Sequence, residues 1–258
     1  MDMNRAFQKA TADLVHGGQP RWTRWRRRSL KRMGKATTVA VIGASGGVGR
    51  AVVRAALDNG LRVRALARSR TRTQETVGDL EKLDEFVEGN VDDPESLARL
   101  LEGSVDIVLS CLGTPKGAAP CVENGTRKII DAMRAAGLQK MAMISSIGVG
   151  DSLPQGLAMA PFFARCIKPL FLKKLFADLD AAEEVCWRAA GMRCVCVRPP
   201  GLTNKRGTGI FRLAPSCELK PSKRASIPRE DVAAAMIKFA KDDSAFLHWE
   251  GKGVTVVS

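Results

Sequence analysis

The sequence predicts an α/β protein, a doubly wound parallel sheet with a small C-terminal substrate lobe. Three observations predict it. Short β-branched apolar runs alternate with helix-period segments of about ten to fifteen residues along most of the chain. The first run, Thr37–Ile42, stops at a cluster of glycines, as a buried parallel strand does before a helix. The 258 residues are 45% hydrophobic and 26% charged, a globular balance that excludes wholesale disorder and a fibrous repeat.

The elements follow in order. After Thr37–Ile42, the residues Val48, Val52, Val53, Ala56 and Leu57 recur at helical spacing, and Asn59-Gly60 ends that helix. Leu61–Ala67 is a second strand and Glu85–Val87 a short third. Pro94–Leu101 is a helix with proline in its first turn, where the missing N–H has no intrahelical partner to lose. Val105–Ser110 is a fourth strand, and Asn124–Ala136 a helix closed by Gly137. Lys140–Ser146 is the fifth strand, followed by a long helix, Leu175–Ala190, closed by Gly191. Arg193–Arg198 is the sixth strand, Asp231–Lys241 a late helix and Val254–Val257 the last strand. Right-handed crossovers between parallel strands place the helices on both faces of the sheet. The lobe is built from residues 150–175 and 202–227. No internal repeat is present.

Residues 1–36 stand apart as a basic N-terminal extension, with ten Lys and Arg against Asp2 and Asp13. Three readings stay open: a solvated disordered tail, an Arg-rich organelle transit peptide, or a segment touching an anionic membrane or nucleic acid through Arg and Trp. The nucleic-acid reading is the weakest of the three. Residues 37–258 carry 31 basic against 25 acidic side chains, so the body is only mildly basic.

What the chain lacks narrows the chemistry. It has no Tyr and only two His, His16 and His248. A His-rich metal site is excluded and a Ser-His-Asp hydrolase disfavoured, so no metal is expected. The seven Cys are odd in number and form no CxxC pair, which points to reduced thiols in a reducing compartment. The cytoplasm is therefore expected, with chloroplast or mitochondrion the alternative if residues 1–36 are a transit peptide. Cys194 and Cys196 share a strand face and are expected to pack as small hydrophobes. The most apolar stretch, Ala160–Phe176, is broken by Arg165, Lys168, Lys173 and Lys174, short of the ~18 apolar residues that a membrane helix needs.

The strongest motif is Gly43-Ala-Ser45-Gly46-Gly47-Val48-Gly49, a GxxGxxG spacing between a strand and a helix. The first glycine allows the tight turn, the second lets backbone N–H groups reach a pyrophosphate, and the third lets helix pack on sheet. The phosphate then lies at a helix N-terminus. This context predicts dinucleotide binding. The second strand ends in Ala67-Arg68-Ser-Arg70-Thr-Arg72, with no acid for a ribose 2′-hydroxyl. Arg68 and Arg72 suit the charge and fork geometry of a 2′-phosphate, so NADP(H) is favoured over NAD; a solvated basic loop is the other reading.

From Thr37 to Ser258 the chain resembles the atypical short-chain dehydrogenase/reductase group, and within it the biliverdin-IX-beta reductase and flavin reductase family. The resemblance lies in residues 43–49, Arg68, Glu88-Gly-Asn-Val91, Cys111-Leu-Gly-Thr114, Asn124–Met133, Ile144-Ser-Ser146, Ala190-Gly191, Arg198-Pro-Pro-Gly201 and Ser226–Asp231. It implies that residues 37–258 are an NAD(P)-binding Rossmann domain. It places Asn90 and Val91 beside the adenine, although the family usually has Asp at position 90. It places Cys111, Leu112, Gly113 and Thr114 along the cofactor, Ser145 and Ser146 by the nicotinamide, and Pro199, Pro200, Gly201 and Leu202 at its carboxamide.

The departures are as informative. The wider superfamily uses a Tyr-x-x-x-Lys pair, and those slots fall near Leu175 and Leu179. The His that often follows the paired prolines in biliverdin-reducing members is Gly201. Positioned acid–base catalysis is worth about 10²–10⁴ in rate, so isolated ketones and alcohols are poor substrates for such a site. A conjugated acceptor of flavin, quinone or tetrapyrrole type can take hydride while solvent supplies the proton. The expected activity is NADPH-dependent reduction of such a small-molecule acceptor, with Ser146 orienting it or relaying a proton. The alternative is a catalytically silent NADP-binding regulator or assembly factor. Leu157, Met159, Phe162 and Phe163 are a possible apolar wall for the acceptor, or ordinary lid packing. Lys173, Lys174 and Arg165 attract an acidic acceptor or form a solvated face. A monomer is expected.

Overall fold

β1 (Thr38–Ile42) is buried along its whole length because apolar side chains leave it on both faces. The computed structural model describes residues 36–78, 80–115, 117–159, 173–215 and 226–257. Residues 37–258 form one compact unit. After β1 come α1 (Gly47–Asp58), β2 (Arg62–Ala67), α2 (Arg70–Val77), β3 (Glu85–Glu88), α3 (Pro94–Leu101), β4 (Ile107–Ser110) and α4 (Val122–Ala135). They are followed by β5 (Lys140–Ile144), α5 (Leu153–Met159), α6 (Lys173–Arg188), β6 (Arg193–Arg198), β7 (Gly201–Thr203), β8 (Arg212–Pro215) and β9 (Ser226–Pro228). α7 (Arg229–Lys241), α8 (Asp243–Trp249) and β10 (Lys252–Val257) complete the described elements.

The main sheet has the order β3-β2-β1-β4-β5-β6-β10-β8. Val39 pairs with Val63 on one side and Ile107 on the other, both parallel, so the strand order reverses between β1 and β4. Alternation along β1 sends Val39 and Val41 to one core, shared with α1, α7 and α8, and Ala40 and Ile42 to the other, shared with α3, α4 and α6. The expected doubly wound α/β architecture is therefore present.

Four features differ from the sequence reading. β8 runs antiparallel to β10, pairing Pro215 with Val254, so the sheet has one antiparallel edge. β7 and β9 form a separate parallel pair beside it. The basic segment after Arg68 is a helix, α2, started by the Ser69 side chain accepting from the Arg72 N–H. α8 was hidden by its shortness; Asp242 caps it by accepting from Ser244 and Ala245 N–H groups, and hydrogen bonding from Ser244 holds that carboxyl down at about 2.

An ion group centred on buried Arg198 ties β6 to α6 and to the turn that follows β5. Arg198, with only 2% of its side chain exposed, donates from Nε to Glu183 at 2.9 Å and reaches Asp151 in the 3-10 turn Gly150–Ser152. Gly253 makes room for it, since a Cβ there would lie 2.1 Å from Arg198 Cζ. Glu183 is equally buried, so its removal leaves the buried guanidinium with only the exposed Asp151 as a charged partner. Glu183→Ala is therefore expected to lower unfolding free energy by about 3–5 kcal/mol in urea titrations. A change below about 1 kcal/mol would contradict this account of the pair.

Candidate functional site: the crevice at the ends of β1 and β4

The site begins where the strand order reverses, the place at which open parallel sheets leave a crevice beyond their carboxyl ends. Gly43 follows β1 with φ +77, and a Cβ on it would lie 2.8 Å from the Cys111 carbonyl oxygen, just beyond β4. The Gly43 and Ala44 N–H groups both donate to Leu66 O on β2, at 3.0 and 3.1 Å. Gly46 N–H donates back to Gly43 O at 2.9 Å, and a Cβ on Gly49 would stand 2.0 Å from that same oxygen. The loop is thus a cradle made of backbone. Ser45 is half-buried in it, Gly47 exposed, and Val48 and Gly49 are buried under it. α1 opens here with no side-chain cap and no acid in its first turn, so its N–H groups and positive dipole end suit an anion.

The basic cluster divides. The Arg70 guanidinium lies 4.8 Å over the Phe86 ring, and the backbone N–H of Arg70 donates to Glu88 Oε1 at 3.0 Å. Arg68 and Arg72 are exposed, and among the described residues no carboxylate pairs with either. Glu88 was not anticipated as a partner of this loop. Next along the rim, Asn90 Oδ1 accepts from Asp92 N–H at 2.6 Å, so the turn that an Asp would close is closed by Asn. Val91 and Leu112 meet at one spot on α4: a Cβ on Gly125 would lie 3.2 Å from Val91 Cγ2 and 2.3 Å from Leu112 Cδ2. Gly113 is exposed, and the half-buried Thr114 hydroxyl lies 3.8 Å from Cys121 Sγ.

The ends of β5 and β6 are joined by Ser145 N–H donating to Val197 O at 2.7 Å and Ile147 N–H to Pro199 O at 3.1 Å. The half-buried Ser146 hydroxyl donates to Ile147 O at 3.1 Å. The Ser145 hydroxyl is buried and has no hydrogen-bond partner among the described residues. Pro199 and Pro200 are buried, Gly201 is exposed and Leu202 half-buried in β7. An anion-ready helix start, a backbone cradle and an unspent buried hydroxyl together fit a dinucleotide.

Phe162, Phe163, Arg165, Cys166 and Cys217 lie outside the described residues, as does the side chain of Met159. Leu157 is 38% exposed, and Lys173 and Lys174 are exposed. Leu175 and Leu179 are half-buried on α6. Sequence reasoning missed three supporting groups. Asp178 on α6 caps α4 by accepting from the Val122 and Glu123 N–H groups at 2.8 and 3.0 Å. Asp231, 1% exposed, holds the Thr208 and Gly209 N–H groups. Arg229 lies against Gly47, with its Nε 2.7 Å from where a Cβ would stand. An acid following Pro228-Arg229 was the only local hint, because the partners are remote in sequence.

The buried thiols, Cys111 at this site and three in the apolar core, are quiet. Burial pushes Cys111 from 9.0 up to about 12. Cys186, Cys194 and Cys196 are raised as well, and the Cys186 thiol donates to Met143 Sδ at 3.2 Å. Because the folded value exceeds the unfolded one, the stabilisation from a neutral Cys111 is complete below about pH 9 and is lost as pH climbs towards 12. Iodoacetamide is expected to leave Cys111 unlabelled in the folded protein at pH 9 and to label it once urea unfolds the chain. Labelling of the folded protein at the rate of a free thiol would contradict its burial.

Comparison with known proteins agrees with this geometry. Residues 43–243 match the family model described as NAD(P)H-binding. An uncharacterized chloroplastic protein of Arabidopsis thaliana is 29% identical over 220 residues, covering 82% of this chain and 75% of its own. ChuY of Escherichia coli O157:H7, described as an anaerobilin reductase, superposes with TM-score 0.68 at 21% identity, over 86% of this chain and 97% of its own. A short-chain dehydrogenase/reductase of Veillonella parvula in complex with NADP superposes with TM-score 0.70 at 14% identity, over 87% and 95%. At these identities the two solved structures show the shared fold. Among the described residues no helix is long and apolar enough to cross a membrane. The chain belongs to the NAD(P)H-binding family, built on a Rossmann-type fold.

Proposed function

We propose that this protein transfers hydride from NADPH to a flat conjugated acceptor of flavin, quinone or tetrapyrrole type. The observation that carries the reading is the complete absence of Tyr from the chain, with aliphatic Leu175 and Leu179 on α6 where the superfamily's acid and base would fall. No phenol is present to protonate an isolated carbonyl. A conjugated acceptor removes that need, and the site then has only to stack and orient it.

The cofactor, when bound, supplies the hydride. Arg68 and Arg72 hold its 2′-phosphate by paired charge-assisted hydrogen bonds. Ser45, Gly47, Val48 and Gly49 offer the pyrophosphate their backbone N–H groups, while Gly43 and Gly46, whose N–H groups donate to Leu66 O and Gly43 O, hold the shape of the loop. Asn90 and Val91 border the adenine, Cys111, Leu112, Gly113 and Thr114 line the cofactor at the end of β4, and Ser145 with Pro199, Pro200, Gly201 and Leu202 hold the nicotinamide end. Ser146 orients the acceptor or passes it a solvent proton. The description of ChuY as a reductase supports a hydride-transfer role for this fold. The Ser146 hydroxyl already donates to its neighbour's carbonyl, which favours a second reading, a cofactor-binding regulator or assembly factor without turnover.

Loss of reduced-nicotinamide absorbance with FMN, a quinone and biliverdin tests the reading. Turnover on at least one acceptor is expected, and Ser146→Ala is expected to lower kcat about ten- to a hundredfold. Replacing Arg68 and Arg72 by Ala is expected to weaken NADPH binding by about tenfold or more while sparing NADH. Tight NADPH binding with no turnover on any acceptor would move the protein to the regulator class.

The compartment follows from the tail. The Arabidopsis relative is described as chloroplastic, which supports reading residues 1–36 as a transit peptide over a cytoplasmic location. Mass spectrometry of the native protein is then expected to find an N-terminus near Lys35, and an intact Met1 would overturn that assignment.

A further inference from the structure

Gly47 stands outside the three-glycine spacing, and its φ is not in the left-handed region, so conformation does not demand glycine there. What it provides is space. A Cβ on Gly47 would lie 2.7 Å from Arg229 Nε and 3.1 Å from Arg229 Cδ. The half-buried Arg229 side chain therefore rests directly on the opening turn of α1.

For a cation this is an unfavourable position. The start of α1 carries the positive end of the helix dipole, without a side-chain cap or an acid in its first turn. Arg229 is also the first residue of α7, whose first turn carries Glu230 and Asp231. Its hydrogen-bond partner is neutral, Asn204 Oδ1 at 2.8 Å from an Arg229 Nη. The adjacent carboxylates face elsewhere. Glu230 accepts from Gly207 N–H at 2.6 Å, and Asp231 accepts from Thr208 and Gly209 N–H groups. Among the described residues no carboxylate forms an ion pair with Arg229. A guanidinium thus rests on the uncapped start of α1, and among the described residues no carboxylate pairs with it there.

We propose that Arg229 is a further residue of the dinucleotide site, gripping the cofactor's pyrophosphate together with the backbone N–H groups at the start of α1. This rests on the site taking a nicotinamide dinucleotide. The pyrophosphate supplies the missing negative charge, and its paired oxygens match the guanidinium fork. Through Asn204, two residues beyond Leu202, the same side chain connects the phosphate cradle to the segment that leaves β7. The chain is thereby given a reason to keep glycine at 47: any side chain there would push the guanidinium off the cradle.

The test is direct titration of the full chain with NADPH and with NADH. Arg229→Gln is expected to weaken both by the same factor, about ten- to a hundredfold, because both carry the same pyrophosphate. The ratio of the two affinities and the melting temperature of the free protein should stay as in wild type, and Arg229→Lys should recover part of the loss. Wild-type affinities in Arg229→Gln would overturn the proposal. A loss confined to NADPH would also overturn it, by placing Arg229 at the 2′-phosphate. Should Arg229→Gln fail to fold, phenylglyoxal labelling of the native protein decides: the dinucleotide is expected to protect Arg229 and adenosine is not. Equal labelling with and without dinucleotide overturns the proposal. A wild-type protein that binds neither dinucleotide would instead remove the cofactor reading itself.

Discussion

Two backbone segments must come closer than any side chain allows, and the site hangs on that approach. Gly43 O lies where a Cβ on Gly49 would stand, and the Cys111 carbonyl lies where a Cβ on Gly43 would stand. The first contact seats α1 against the end of β1. The second brings the end of β4 alongside. With both made, the crevice at the strand-order reversal is lined by peptide groups, which carry fixed dipoles and need no reorganisation to meet an anion. The two apolar cores hold this arrangement from either side. Val48, Val52 and Val53 of α1 are anchored in one, and Leu97, Ile129 and Ala182 of α3, α4 and α6 in the other.

Much of this was legible because it is local. The run Thr38–Ile42, the glycine spacing and the helix stripe after it are neighbours in sequence, and each obeys a short-range rule. The parts that were hidden depend on distant partners. α2 shows almost no apolar stripe, burying only Thr73 and Val77, so its basic composition masked a helix whose main signal was the Ser69 cap. β8 gives no hint that it pairs antiparallel with β10, since direction is set by where the intervening chain returns. Asp178 caps a helix 56 residues earlier in the chain, which no window of sequence reveals.

The chemistry divides along the same line. The absence of Tyr is a fact of composition and constrains the reaction before any fold is known. The two serines are different. Resemblance selects Ser146, whose hydroxyl donates to Ile147 O, while the buried hydroxyl without a partner among the described residues belongs to Ser145. The pair therefore offers one hydroxyl whose donor is engaged and one left unspent beside the joined ends of β5 and β6. The thiols contribute packing. Burial keeps Cys111 protonated, so its backbone carbonyl, not its sulfur, shapes the cradle.

The central claim is hydride delivery to an acceptor that needs no protein acid. Its most direct test is the rate of acceptor reduction with NADPH deuterated at the transferred position, followed across pH. The account predicts a primary isotope effect and a rate that stays flat between about pH 6 and 9, because no side chain must give up a proton in that range. A bell-shaped profile that reports an essential acid and base would contradict it, as would bound NADPH whose hydride reaches no acceptor.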